Sequence, residues 1–244
     1  DNFARLMENK SFIGSIGNAL FYTAGLLPFS ILIPLLLASV THQMEGRMKN
    51  VYRALFFVPM ILAPVSVSAI WRWLFHPSNG LVNDVLLRLG AISQPIAYFS
   101  DPGFAKWLIL FITGWKMVGF STIMFSAALT GINREYYEAA AIDGAGSLKQ
   151  FYRLTVPLLS PMILFMLTMS ILFSSQWTFA YIDILTTGGP YGTSTNVYYE
   201  MYKYAFSNLN AGFSAAAALL FFIAFGVISL TLNQLSRRYS FYDN

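Results

Sequence analysis

Five stretches of this sequence, at about 12–40, 52–75, 105–130, 156–178 and 212–235, stay apolar over the length a helix needs to cross a bilayer. At a rise of 1.5 Å per residue, a hydrocarbon layer of roughly 30 Å takes about 20 mostly apolar residues. Backbone in lipid must satisfy its own hydrogen bonds, so such segments fold as helices. The expected fold is an all-α integral membrane protein, a polytopic helical bundle. Charge agrees, because only 11% of the residues are Asp, Glu, Lys or Arg, against roughly 25% in a chain that faces water. Pro28, Pro34, Pro59 and Pro64 fall inside the first two stretches. Lipid-embedded helices accept proline where neighbours satisfy the freed carbonyl, which predicts kinked helices packed on one another.

Lys and Arg near the membrane give the orientation. The 41–53 loop holds Arg47, Lys49 and Arg53, the 131–155 loop holds Arg134, Lys149 and Arg153, and the tail holds Arg237 and Arg238. The other side has Arg5, Lys10, Arg88, Lys106 and Lys203, spread over longer segments. The first side is therefore predicted to be cytoplasmic, with the C-terminus inside and residue 1 outside. Residues 1–11 do not look like a signal peptide, so one more span is expected before Asp1. Trp71, Trp73, Phe75, Tyr98, Phe99 and Trp107 gather at the predicted outer ends of two spans, as an interfacial aromatic belt does.

Several chemistries are excluded or unsupported. There is no Cys, so thiolate and disulfide chemistry are absent. No basic run is interleaved with aromatics, which argues against a nucleic-acid partner. His42 and His76 are predicted on opposite sides of the membrane, and no metal site is expected. With no internal repeat and no soluble segment, residues 1–244 are expected to form a single transmembrane domain.

The most informative loop runs NREYYEAAAIDGAGSLKQFYRLTVPLLSP, from Asn133 to Pro161. Asn133 suits an N-cap. Glu135 and Glu138 follow in the first two turns, where the helix dipole favours acid. Ala139, Ala140 and Ala141 continue a strong helix with a nearly bare surface. Gly144 and Gly146 then end it, and Pro157 opens the next span near its first turn. A bare helix invites close approach by another protein; an amphipathic loop helix lying on the membrane has the same composition.

Spacing separates the two. Glu138-Ala139-Ala140, three residues, Gly144, nine residues, Leu154, one residue and Val156-Pro157 resembles the EAA loop of ABC importer permeases. That pattern is EAA, three residues, Gly, nine residues, Ile, one residue and Leu-Pro; Leu154 and Val156 are its conservative departures. Asp143-Gly144-Ala145-Gly146 is similar to the AxDGAG of carbohydrate-type permeases. DNFARL at the start, YRALFFVPMILAPVSVSAIWRWLFHPSNGLVN and Thr187-Gly188-Gly189-Pro190 extend the resemblance over the whole chain. It implies a type I ABC importer permease of the maltose or glycerol-3-phosphate kind, with residues 131–155 as its cytoplasmic coupling loop.

The resemblance also implies an assembly. Glu138, Ala139, Ala140, Asp143 and Gly144 would form a coupling helix seated in a cleft of an ATPase subunit, of which there would be two. ATP and Mg would bind to those subunits; this chain would carry no cofactor, and it has no Gly-x-x-x-x-Gly-Lys phosphate loop. A second permease, a different chain, would complete the pathway, and an external solute-binding protein would deliver the solute. The membrane would be the bacterial cytoplasmic (inner) membrane.

Polar groups inside spans suggest where a solute passes. Lys116 lies about mid-span, where a cation costs at least ~2.5 kcal/mol unless it faces protein or water. It either faces the pathway or packs between helices, snorkelling being awkward at that depth. The resemblance places the cavity wall at Thr113, Lys116, Met117 and Phe120, which share one helix face. The next span supplies Ser174, Ser175, Gln176, Trp177, Thr178 and Tyr181. Related permeases have their wall near Ser175, Thr178 and Ala180, while Ser, Thr and Gln also serve as glue between helices. Both readings of this run stand. Arg72 at an outer span end reads as snorkelling or phosphate contact. Ala211-Gly212 and Ser214 to Ala218 suit close packing, at the second permease.

Two rival functions come from other classes. An ATP-independent secondary transporter is expected to show acidic relays within spans and paired broken helices, and no clear mid-span Asp or Glu is present. An intramembrane enzyme needs a nucleophile with its base or a metal cluster.

Overall fold

The structure, a computed structural model, describes residues 2–42, 44 and 46–239, without the side chains of residue 49 and residues 235–239. Lys49, Arg237 and Arg238 thus bear on orientation through sequence alone, since their side chains lie outside the described residues. Every regular element among the described residues is helical. A short α1 (Asn2–Glu8) leads into the long α2 (Lys10–His42). Within α2 Pro28 offers no N–H to the ladder, and the helix widens over Pro28–Leu32, with the Ile33 N–H reaching back to the Pro28 carbonyl. Next come α3 (Arg47–Ile61), α4 (Pro64–Leu74), the short α5 (Leu81–Arg88) and the long α6 (Ala105–Thr130). Helix α7 (Arg134–Ile142) precedes α8, which starts as Ser147–Gln150 and continues through Phe151–Thr155 and Val156–Leu158. The long α9 (Ser160–Thr186), then α10 (Val197–Tyr202, continued by Lys203–Ser207) and α11 (Ala211–Tyr239), complete the described residues.

Four of these helices, α2, α6, α9 and α11, are each long and apolar enough to cross a membrane, and α3 with α4 qualifies only as a bent pair, a broken span or a re-entrant loop. This refines the second expected stretch. Ala63 adopts an extended conformation (φ −63°, ψ 137°), because a residue before proline is pushed out of the helical region. The result is an interruption rather than a kink. The expected stretch at 156–178 also shifts: its long helix begins at Ser160 and runs on to Thr186.

Contacts divide the chain into two compact units, and each long helix contributes to both. The first comprises the chain up to Leu26 with Leu62–Thr113 and Leu172–Ala224. Its core joins Leu6 and Phe12 to Val197, Tyr204, Phe213, Ala216 and Ala217. The small residues that open α11 therefore receive the chain's own N-terminal helices on one face. The expected aromatic belt is partly a packed cluster here, with Phe75 against Trp71 (5.7 Å), Tyr98 (5.1 Å) and Phe99 (6.0 Å), while Trp73 and Trp107 are exposed. Arg72 donates to the Ile184 carbonyl at the end of α9, so its guanidinium has a protein partner.

The second unit comprises Leu27–Ile61, Gly114–Ile171 and the chain from Phe225 on. Leu35, Ala38, Phe125, Leu129, Leu159 and Met166 form its core. Helices α3 and α6 approach closely at Gly119, where a Cβ would lie 2.5 Å from the Phe56 carbonyl oxygen; close backbone approach at small residues is how membrane helices associate. The basic loops at 41–53 and 131–155 fall in this unit.

Exposed surface is apolar along the long helices. Leu20, Leu32, Leu36 and Val40 on α2, and Phe222, Val227 and Leu230 on α11, point away from the fold. Patches of this extent need an apolar environment, which lipid supplies.

Candidate functional site

The loop that carries the sequence signature is built by local rules. Asn133 caps α7, its side-chain oxygen accepting from the Glu135 N–H at 3.1 Å, which satisfies one of the orphan donors of the first turn. Arg134 and Glu138 pair across one turn at 3.0 Å, both well exposed. At the far end the Ala145 N–H bonds to the Ala140 carbonyl (2.9 Å) and the Gly144 N–H to the Ala141 carbonyl (3.0 Å). This nested pair closes a helix through a left-handed residue, and Gly144 provides it with φ +75°. The glycine is thus required by its backbone conformation, and the space around it is open, with nothing within 4 Å of a Cβ there.

No residue of α7 is buried. Glu138, Ala139, Asp143 and Gly144 are exposed and Ala140 half-buried, and Ile142 is 87% exposed. A nine-residue helix with no face in its own core contributes nothing to folding by burial; its surface is available to something else. Its rear is fastened by residues that the sequence reading did not single out. Gln150 donates to the carbonyls of Ala145 (2.9 Å) and Tyr137 (3.4 Å), and the Tyr137 hydroxyl bonds to Thr155 at 3.0 Å. A cleft of about 650 Å³ lies behind this strap, lined by Ser39, His42, Arg134, Tyr137, Gln150 and Thr155 among others. The strap connects α7 to α8, whose Phe151 and Val156 pack on the second unit's core. Helix α7 is thus tied to the core of the second unit.

The candidate pathway residues divide differently. Thr113 is fully buried in the first unit; in the second, Met117 is buried, Lys116 half-buried, and Phe120 packs against the Leu35 and Phe125 cluster. On α9, Ser175, Thr178 and Tyr181 are buried, Ala180 is half-buried and Gln176 exposed. The α9 hydroxyls belong to a polar network within the first unit. Asn196 donates to Thr178 Oγ1 (2.7 Å) and to the Ser175 carbonyl (2.9 Å), while its side-chain oxygen accepts from the Tyr199 N–H at 2.8 Å to cap α10. Ser174 pairs with Thr23 at 2.7 Å, and Thr186 with Ser194 at 2.8 Å. The Tyr22 hydroxyl donates to the Ser194 carbonyl at 2.8 Å.

The network continues to Glu200, which is buried and accepts from Ser11 (2.9 Å), Thr195 (3.2 Å) and Lys203 (3.1 Å). Burial first, and then the Glu200 carboxylate, push the Tyr204 phenol above its ordinary range. Asn196, Ser194 and Glu200 were not legible as a unit in the sequence. An Asn immediately before a helical run is a readable cap signal, but its partners on α9 lie 18 and 21 residues away.

This geometry coincides with the family pattern. The sequence pattern of the binding-protein-dependent transport system inner membrane components matches residues 30–239, which covers α7, Gly144 and the network on α9 and α10. The chain belongs to that family. Among curated relatives of this transport family, the sn-glycerol-3-phosphate transport system permease protein UgpA of Pectobacterium atrosepticum is 32% identical over 234 residues, 96% of this chain and 77% of the relative. The UgpA of Escherichia coli O157:H7 is 31% identical over the same shares. Among solved structures, a chain of a bacterial ABC transporter involved in the import of the acidic polysaccharide alginate superposes with a TM-score of 0.88 at 26% identity, covering 98% of this chain and 83% of that one. A bacterial alginate ABC transporter in complex with an alginate pentasaccharide-bound periplasmic protein matches with a TM-score of 0.89 at 26% identity, covering 98% and 82%. The fold is that of an ABC importer permease, and the chain is a multi-pass permease of the sugar-importer group within the binding-protein-dependent family.

Proposed function

We propose that this permease forms, with a second and different permease chain, the pathway by which an ATP-driven importer moves a sugar or sugar-like solute: an oligosaccharide, a sugar phosphate or glycerol 3-phosphate. Helix α7 is the coupling helix, docked on one of two ATPase subunits that bind ATP and Mg and carry out hydrolysis. An external solute-binding protein delivers the solute, as the relative bound to a periplasmic protein suggests. The basic loops and the C-terminus face the cytoplasm.

The observation that carries this reading is the helix without a buried face. Alanines at 139, 140 and 141 let a partner come close, Gly144 closes the helix without bulk, and the Gln150–Tyr137 strap ties it to the span behind. Docked helices drawn together by ATP would shift the bundle between two arrangements, since the ligand favours one of them.

Polar atoms turned outward from spans are the natural contacts for solute. Gln176 is exposed on an apolar helix, and an amide left against lipid lacks partners, so it meets water, solute or the second permease. Lys116 is proposed for the same role in its own unit. Ser175, Thr178, Thr113, Met117, Phe120 and Tyr181 shape the wall from within.

The test is co-purification of the tagged chain, expressed with its neighbouring genes, in wild-type and Ala139→Trp forms. Ala139 is exposed, so the substitution leaves the fold intact, and an unchanged melting temperature checks this. An ATP-hydrolysing subunit is expected with the wild type and is lost or uncoupled in the variant. Solute uptake by a folded wild type that never binds an ATPase would transfer the function to ATP-independent transport.

A further inference from the structure

The outer face of α8 has chemistry that the coupling role does not use. The inner face of this segment is fixed by Gln150, by Thr155 bonded to Tyr137, and by Phe151 and Val156 on the core. That fixes the rotation of the rest. Leu148 and Tyr152 are 71% and 63% exposed, and Lys149 and Arg153 are exposed beside them. Residues four apart are neighbours on a helix surface, so an apolar row and a cationic row run side by side. Residues 147–160 contain no Asp or Glu. Among the described residues neither Lys149 nor Arg153 forms an ion pair, in contrast to Arg134 with Glu138.

The position of the face narrows its partner. Helix α8 leads directly into α9, whose membrane-length run begins at Ser160. Arg153 is seven residues before that point, roughly 10 Å along a helix, and its long side chain reaches the headgroup layer that borders the hydrocarbon. Apolar and aromatic side chains beside cations, without carboxylates, suit a surface that is apolar just below and negative above.

We propose that Leu148, Lys149, Tyr152 and Arg153 form a binding face for anionic phospholipid headgroups. Lys149 and Arg153 neutralise the phosphates, while Leu148 and Tyr152 enter the acyl boundary. The rest of the loop then has two separate outward faces: α7 for the ATPase, α8 for the membrane. A carboxylate-rich protein surface is the competing occupant. Continuity with the membrane helix favours lipid, because a segment joined to a span by so few residues stays at the bilayer edge.

The chain has no Cys, so Tyr152→Cys provides a single attachment point for a fluorophore on this chain. The assembled transporter carrying it is placed in phosphatidylcholine nanodiscs, with phosphatidylglycerol added in steps. The label is expected to be quenched by lipids brominated on their acyl chains, with a signal that saturates as phosphatidylglycerol rises. Lys149→Gln and Arg153→Gln should each raise the half-saturating fraction by roughly five-fold, following the usual weight of one surface cation. The melting temperature should not change. Quenching only by a water-soluble quencher, or shielding that appears only when the ATPase subunit is bound, would overturn the proposal. So would identical phosphatidylglycerol curves for the wild type and both variants.

Discussion

Helix α7 and the Ser174–Asn196 network are both rich in small and polar residues, yet they are used in opposite ways. Apart from Tyr137, which bonds to Thr155, the side chains of α7 turn outward: the Arg134–Glu138 ion pair is exposed, none of the alanines is buried, and the closing glycine stands in open space. In the network the side chains are buried, and the polar atoms of Thr178, Asn196, Ser194 and Glu200 are bonded within the fold. On the proposed function, α7 keeps its surface vacant for a partner, whereas the network pairs its buried polar atoms within the fold, as burial away from water demands. Composition alone does not distinguish them. Burial and bond partners do.

Substitutions can break or sharpen this contrast. The largest effect is expected from Asn196→Ala, which removes the cap of α10 and leaves Thr178 Oγ1 and the Ser175 carbonyl without their donor. Unmade buried hydrogen bonds and a lost cap together cost about 2–4 kcal/mol, read as a clear fall in melting temperature of the purified permease. Retained stability would mean that the network is not structural. Gly144→Ala comes next. An alanine at φ +75° is strained by roughly 1–2 kcal/mol, confined to the loop, so coupling of ATP hydrolysis to uptake should fall while the global melting temperature stays. Gly144→Asn should be milder, because Asn tolerates the left-handed region. Smallest is Arg134→Gln: an exposed i,i+4 pair contributes about 0.3–0.5 kcal/mol, so stability should be unchanged within error. A large loss there would show that the outer face of α7, and not only its strapped rear, is held by the fold.

Much of this was legible in the sequence, for stated reasons. Long apolar runs give long helices because lipid leaves the backbone no alternative, and the α7 boundaries followed from Asn133 and Gly144, whose roles are local. The interruption at Ala63 was less visible, because the apolar run continues through it and only the two prolines mark the place. The shift of α9 to Ser160–Thr186 was hidden by Asp183 and Thr186, which look like a solvated end until Ser194 covers Thr186. The polar run at 174–178 could be read either as a pathway or as glue. Asn196 is the partner that bonds to Thr178, and no local rule connects residues that far apart. Gln150 and Tyr137 were missed for the same reason: the strap joins side chains to carbonyls 5 and 13 residues away, a match of geometry rather than of pattern.

The central claim is that the vacant face of α7 meets an ATPase. The most direct measurement is site-specific crosslinking from Ala139→Cys, the sole thiol in this chain, with a thiol-linked photoreactive group in the assembled transporter. The account predicts a covalent adduct with the ATP-hydrolysing subunit, whose yield changes when ATP is added. A transporter that hydrolyses ATP and imports solute, yet gives no such adduct from position 139 and only lipid adducts, would contradict it.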